Sequence, residues 1–292
     1  MRTIDGTTRV CGLIGNPVAH SISPLIHNRL AEIRNDNLVY TTFCVASDSV
    51  SEAVKGAYAL DILGLNVTVP HKQAVMAALA ETDPLAEAIG AVNTLVCTDG
   101  GYKGYNTDIL GLDRELTDAG ISLCGRTVVL LGAGGAARAI AFLCAKRGAA
   151  KIIILNRTVE RAQGIAEAVN NYFNSDTACA KPLDDCGKLD ESGYIVIQTT
   201  SVGLHPHDDE APVTDEGFYA RAEVGVDIIY NPAETRFMKL MRQQGKQAFN
   251  GLKMLLYQGV AAYELWNGCE ISADEAQLVY EDMKRALGIV DE

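Results

Sequence analysis

Short apolar runs recur in the first third of the chain, at residues 10–14, 39–45 and 63–69, each followed by a stretch with helical spacing, at 24–33, 49–60 and 71–79. An apolar run bounded by turn formers reads as a buried strand, so this segment predicts repeated strand-helix units. Helix starts carry chemical marks. Ser23-Pro24 places a capping hydroxyl before a proline at the first helical position, and Pro70 precedes the helix predicted to carry Lys72. Downstream, a strand at 128–131 runs into Gly132-Ala133-Gly134-Gly135-Ala136-Ala137-Arg138, a helix of small and apolar residues continues to Lys146, and a second strand follows at 151–155. Further strands at 194–197 and 224–229, then helices at 263–268 and 273–287, complete a mixed α/β pattern.

The second block is a βαβ unit of about 30 residues, the context in which a glycine-rich turn binds a dinucleotide. Gly132 permits the tight turn, Gly134 lets the backbone approach a pyrophosphate, and Ala137 takes the position where a small residue lets helix and strand pack. The expected fold is therefore α/β: an N-terminal α/β domain with a mostly parallel sheet, a Rossmann-type dinucleotide-binding domain, and C-terminal helices returning to the first. Cofactor choice rests on the end of the second strand, where an acidic side chain would accept from the ribose hydroxyls of NAD. Asn156-Arg157-Thr158 stands there instead, with Arg161 one turn on, and a guanidinium matches the 2′-phosphate of NADP.

At 292 residues and 48% hydrophobic content the chain can bury a sizeable core, and its length suggests two domains. A net charge of -12 repels phosphate backbones and anionic lipid, so nucleic acid and membrane are poor partners and an anionic ligand must meet local positive groups. No apolar run approaches the ~20 residues that span a bilayer, and Met1-Arg2-Thr3-Ile4-Asp5 does not read as a signal peptide; the expected location is the cytoplasm. The eight cysteines lack a Cys-x-x-Cys pair and read as reduced core thiols. His205-Pro206-His207-Asp208-Asp209-Glu210 lacks the ligand spacing of a zinc shell, and no metal is expected.

Polar groups end several apolar segments of the N-terminal part: Gly12-Leu13-Ile14-Gly15-Asn16-Pro17, His20-Ser21-Ile22-Ser23-Pro24, Gly64-Leu65-Asn66-Val67-Thr68-Val69-Pro70-His71-Lys72, Ile89-Gly90-Ala91-Val92-Asn93-Thr94 and Asn106-Thr107-Asp108. Together these runs resemble the shikimate dehydrogenase family over nearly the whole chain. The resemblance implies reversible, NADPH-dependent reduction of 3-dehydroshikimate to shikimate, a step of aromatic amino-acid biosynthesis. It implies a catalytic pair, Lys72 and Asp108, which share the proton transfer with the carrier left open. It implies Ser21 and Ser23 at the substrate carboxylate, Thr68, Asn93 and Gln258 at ring hydroxyls beside Lys72 and Asp108, and Tyr230 near the carboxylate. Two hydroxyls alternating on an extended Ser-Ile-Ser stretch would point the same way, although Ser23 also suits a helix cap.

For the cofactor, the resemblance implies Gly132, Ala133, Gly134, Gly135, Ala136, Asn156, Arg157, Thr158, Arg161, Thr200, Val202 and Gly251. The implied domains are 1–107 plus 251–292 for substrate and 108–250 for NADP, in a monomer or homodimer. Two positions depart from the family pattern: Gln198, where relatives usually carry Asn, and Leu204, where Met is common. Two alternatives are a quinate/shikimate dehydrogenase using NAD and a regulatory protein that senses the ring acid without chemistry. Arg157 and Arg161 argue against the first, and the retained Lys72 and Asp108 against the second.

Overall fold

A computed structural model describes residues 4–289, which divide into two compact units: the chain up to Gly111 together with that from Leu255 onward, and Leu112–Met254. The first unit begins with β1 (Arg9–Gly15), α1 (Ser23–Ile33), β2 (Leu38–Cys44), α2 (Val50–Ala59) and β3 (Gly64–Val67). It continues through β4 (Glu81–Thr82), α3 (Pro84–Ile89), β5 (Thr94–Thr98), β6 (Gly101–Tyr105) and the start of α4 (Thr107–Asp118). Its sheet runs β2-β1-β3-β5-β6-β4, with β1 parallel to β2 and β3, β4 parallel to β6, and β5 antiparallel to β3 and β6. The antiparallel hairpin interrupts the expected strand-helix repetition. Asp99-Gly100 links its strands, and Gly100 (φ 96) takes the positive φ that so short a connection demands.

The second unit holds β7 (Thr127–Leu131), α5 (Gly135–Lys146), β8 (Lys151–Asn156), α6 (Val159–Phe173), β9 (Ala178–Pro182) and β10 (Tyr194–Gln198). After these come α7 (Glu216–Arg221), β11 (Ala222–Asp227), α8 (Arg236–Gln243) and β12 (Gln247–Phe249). The sheet is wholly parallel in the order β12-β11-β10-β7-β8-β9, a doubly wound arrangement whose direction of winding reverses between β7 and β10. Residues 128–131, 152–155 and 194–197 have no solvent exposure, as expected of strands with both faces covered. Helices α9 (Leu252–Asn267) and α10 (Ala273–Ala286) complete the chain. α9 starts well before the expected 263, because its first half is apolar around most of its girth and shows weak helical periodicity.

Two predicted helix features are corrected. Residues 71–79 form turns and a short 3-10 segment, Ala74–Ala78, rather than an α-helix. The carbonyl of Lys72 accepts from Val92 N–H (2.8 Å), so it is not free for the N–H of Met76, which turns to Gln73 (3.2 Å). Ser23 is the first residue of α1 and Ile22 its cap, with no side-chain capping bond. The eight thiols are unpaired, but Cys44 and Cys124 are exposed, so these two are not core thiols.

Candidate active site

In the first unit, polar groups collect just beyond the carboxyl ends of β1 and β3 and at the start of α4. Lys72 Nζ donates to Asp108 Oδ2 at 2.6 Å, and Asn93 Nδ2 donates to Asp108 Oδ1 at 2.8 Å. The side chains of Lys72 and Asp108 keep 31% and 16% of their exposure, so the pair is shielded yet reachable by a small ligand. Asp108 lies in the first turn of α4, where the unpaired N–H groups of a helix start favour a carboxylate. The turn carrying Lys72 is held on both sides. His71 is buried with Nε2 at 2.8 Å from the Val45 carbonyl, which only accepts, so that nitrogen carries the proton; Val92 holds the carbonyl of Lys72.

Ser21 and Ser23 come together, with their hydroxyl oxygens 3.1 Å apart and Ser23 N–H donating to Ser21 Oγ at 3.2 Å. The stretch is not extended as expected: Ile22 has φ -91 and ψ 2, and this bend brings the hydroxyls to one point at the start of α1. Neither caps the helix; the Ser21 hydroxyl donates to Ser23 Oγ, so the two oxygens face one point together. Thr68 follows β3 and binds the Ile14 carbonyl through its N–H, beside Gly15 of β1. Gln258 is half-buried on α9, its amide donating to Leu255 O at 3.1 Å. Tyr230 belongs to the second unit, beyond the end of β11, and burial raises its phenol above the usual range.

The second unit places its turn at the reversal of strand order, where open α/β sheets bind ligands. Gly132 ends β7 with φ +110, and a Cβ there would stand 2.7 Å from Thr200 Cγ2 and 2.8 Å from Thr199 Oγ1, so both conformation and space require glycine. Ala133 leads into Gly134, which caps α5, and Gly135 and Ala136 form its first turn; a Cβ at Gly134 or Gly135 would meet nothing within 4 Å. The helix start is thus open to a phosphate. Asn156 closes β8 and donates to Thr158 O at 2.8 Å, bending the chain so that Arg157 stands exposed and Arg161 lies in the first turn of α6. Neither arginine pairs with a carboxylate among the described residues. These residues fit a dinucleotide that carries an extra phosphate.

Across the reversal, Gln198 is wholly buried and donates to Thr200 O (3.2 Å) and Val202 O (3.1 Å), while accepting from Thr200 N–H. Its amide thereby shapes the loop that holds Thr200 and Val202, and Val202 N–H donates to Thr200 Oγ1 at 3.1 Å. Leu204 at the loop's far end is exposed. Gly251 precedes α9, where a Cβ would collide with the Ile228 carbonyl oxygen, so the two backbones approach only because the residue is glycine.

The sequence placed Asn66 and Thr94 within polar runs but gave neither a role. Asn66 donates to Thr94 Oγ1 (3.1 Å) from the middle of β3, and Thr94 lies 3.1 Å from Asn93 Oδ1. An amide inside the otherwise apolar run Leu65-Asn66-Val67 was the signal available.

Family models match three stretches: the shikimate dehydrogenase substrate binding domain over residues 13–95, shikimate / quinate 5-dehydrogenase over 115–206, and the shikimate 5'-dehydrogenase C-terminal domain over 251–276. The chain is 44% identical over 283 residues to the shikimate dehydrogenase (NADP(+)) of Caldanaerobacter subterraneus subsp. tengcongensis, an alignment covering 96% of this chain and 98% of that protein. The crystal structure of shikimate 5-dehydrogenase from Listeria monocytogenes in complex with shikimate and NAD is similar with a TM-score of 0.89 at 32% identity, covering 97% of this chain and 99% of that one. For the Thermus thermophilus enzyme in complex with NADP(H) and shikimate the TM-score is 0.82 at 32% identity, with 94% and 99% covered. On these matches and the architecture above, the chain belongs to the shikimate dehydrogenase family.

Proposed function

We propose that the protein is an NADP-dependent shikimate dehydrogenase, an oxidoreductase that reversibly reduces 3-dehydroshikimate to shikimate. The observation that carries this reading beyond family membership is the meeting of Lys72, Asp108 and Asn93 at 2.6 and 2.8 Å. Reduction of the ring ketone consumes a hydride, which bound NADPH supplies, and a proton for the developing alkoxide. Asp108 accepts on both oxygens, from Lys72 and from the Asn93 amide, and on this reading Lys72 Nζ is the group that delivers the proton. The carboxylate holds that ammonium in place and steadies its charge. In the reverse direction Lys72 takes the proton back.

Ser21 and Ser23 donate to the substrate carboxylate with Tyr230 assisting, and Thr68, Asn93 and Gln258 hold the ring hydroxyls. Residues 1–107 and 251–292 form the substrate-binding part and 108–250 the NADP-binding part. There Gly132 to Ala136 receive the pyrophosphate, Asn156, Arg157, Thr158 and Arg161 the adenosine end with its 2′-phosphate, and Thr200, Val202 and Gly251 the nicotinamide end. The protein acts in the cytoplasm as a monomer or homodimer, within aromatic amino-acid biosynthesis. No described helix is long and apolar enough to cross a membrane.

Specificity constants for shikimate and quinate, each with NADP and with NAD, test this reading. Shikimate with NADP should exceed the other three combinations. Quinate with NAD ranking first would replace the proposal with a quinate dehydrogenase, and no nicotinamide reduction with either acid would make the protein a binder without chemistry.

A further inference from the structure

Behind Asp108 lies a buried chain of polar side chains of which the proposed chemistry itself uses only Asn93. Tyr40, Asn66, Asn93, Thr94 and Thr107 are all 5% exposed or less, so water cannot complete their hydrogen bonding and each donor must find an acceptor within the group or on Asp108.

Two anchors fix the direction in which these bonds run. The first is Asn66, whose Nδ2 faces the Asn93 carbonyl at 3.3 Å. A carbonyl only accepts, so this end of Asn66 is the NH2 group and its Oδ1 faces Tyr40. The Tyr40 hydroxyl, 2.8 Å away, must then donate. The second anchor is the Thr107 backbone N–H, which only donates and reaches Asn93 Oδ1 at 2.7 Å. Asn93 therefore turns its NH2 group to Asp108 Oδ1.

Thr94 joins the anchors. Its hydroxyl accepts from Asn66 Nδ2, so its single hydrogen goes onward, either to Asn93 Oδ1 (3.1 Å) or to Thr107 Oγ1 (2.9 Å). In the second case Thr107 passes its own hydrogen to Asn93 Oδ1, also 3.1 Å away. Both arrangements end on the same oxygen. The hydrogens run one way, from the Tyr40 phenol through Asn66, Thr94 and Asn93 to the carboxylate.

We propose that Asn66 and Thr94, headed by Tyr40, are positioning residues whose one-way hydrogen-bond relay locks the Asn93 amide and so keeps Asp108 aimed as an acceptor for Lys72. The inference rests on the assignment of Lys72 and Asp108 made above. With Thr94 unable to pass on its hydrogen, Asn93 Oδ1 is left to the Thr107 N–H and hydroxyl alone, its amide is held less tightly, and the aim of Asp108 at Lys72 loosens. A displaced dyad lowers turnover more than binding, because the proton is needed in the transition state.

Steady-state kinetics of Thr94→Val, Thr94→Ser, Tyr40→Phe and Lys72→Ala, with thermal unfolding of each, test it. Thr94→Val preserves shape and removes the relay hydroxyl, and should lower kcat on the order of tenfold or more with KM for shikimate within about threefold. Thr94→Ser restores the hydroxyl and should return kcat to within about threefold of the parent. Tyr40→Phe keeps the ring, stacked 4.2 Å from His27, and should lower kcat by roughly three- to tenfold even if the valine variant folds poorly. Equal kcat in parent, Thr94→Val and Tyr40→Phe, with Lys72→Ala inactive, would overturn the relay while leaving the dyad intact. Equal impairment in the valine and serine variants overturns it too, since packing rather than the hydroxyl would then be responsible. Full turnover in Lys72→Ala removes the dyad assignment, and the relay with it.

Discussion

Arg157 stands exposed where β8 ends, with Asn156 bending the chain beneath it and no carboxylate bound to it among the described residues. In a chain of net charge -12, an exposed arginine with no ion pair among the described residues is free to meet an anion from outside. Arg157→Ala should raise KM for NADP about tenfold or more while changing KM for NAD much less, since a charge-assisted bond of ~1.5–3 kcal/mol is lost only with the cofactor that carries the phosphate. Equal weakening of both cofactors would make Arg157 structural. The resemblance of the polar runs to a known family named Lys72, Asp108 and Asn93 as candidates for chemistry. The direction of the hydrogen bonds behind them was not legible. It depends on the Asn93 carbonyl before β5 and the Thr107 N–H at the start of α4 coming within reach of side chains from β3 and from the residue before β5, and these meet only in the folded chain.

Specific side chains bound α3 and α10. Asp83 accepts from Leu85 N–H (3.0 Å) and Ala86 N–H (3.2 Å) to start α3, and Gly90, with φ 73, ends it. On α10, Ser272 Oγ accepts from Glu275 N–H (3.2 Å) while the Glu275 carboxylate accepts from Ser272 N–H (2.8 Å), a reciprocal cap. Ser272→Ala should lower stability by about 1 kcal/mol with kcat unchanged, read as the shift in a denaturant midpoint. An unchanged midpoint would mean that packing alone holds α10. Residues 71–79 break the pattern, since a proline and helical spacing predicted a helix that does not form. Val92 takes the Lys72 carbonyl that an α-turn needs, so a tertiary contact decided the local structure. That departure matters for function, since Lys72 sits on a pinned turn and not on a regular helix.

Across the molecule, each unit buries ionisable groups that tie its stability to pH. His27 in the first unit is wholly buried, and burial pushes its imidazole down to about 3, the nearby Asn66 amide opposing this only in part. The unfolded chain therefore binds the proton first, and the unit loses stability as pH falls from about 6.5 toward 3. Glu115 and Asp227 in the second unit shift the other way: burial raises them to about 8 and about 7, against the opposing pull of Lys253 on Glu115 and of the Thr235 hydroxyl on Asp227. Here the folded state holds the proton, so stability present below about 4.5 is lost as pH rises toward 8. His27→Phe should flatten the acid side of a plot of unfolding midpoint against pH, and Glu115→Gln the alkaline side, each by a few kcal/mol at the extremes. Unchanged slopes would place these groups in contact with water. By itself, the sequence determined the α/β class and the parallel strands of the second unit and named the candidate site residues, because strands buried on both faces must be apolar throughout and a dinucleotide turn must be small. Only the tertiary structure decided the antiparallel hairpin, the bend at Ile22 that joins Ser21 to Ser23, the pinned turn of Lys72 and the relay behind Asp108. Each of these depends on which backbone groups are already occupied by distant partners, and that is a property of the packed chain rather than of any local run of residues.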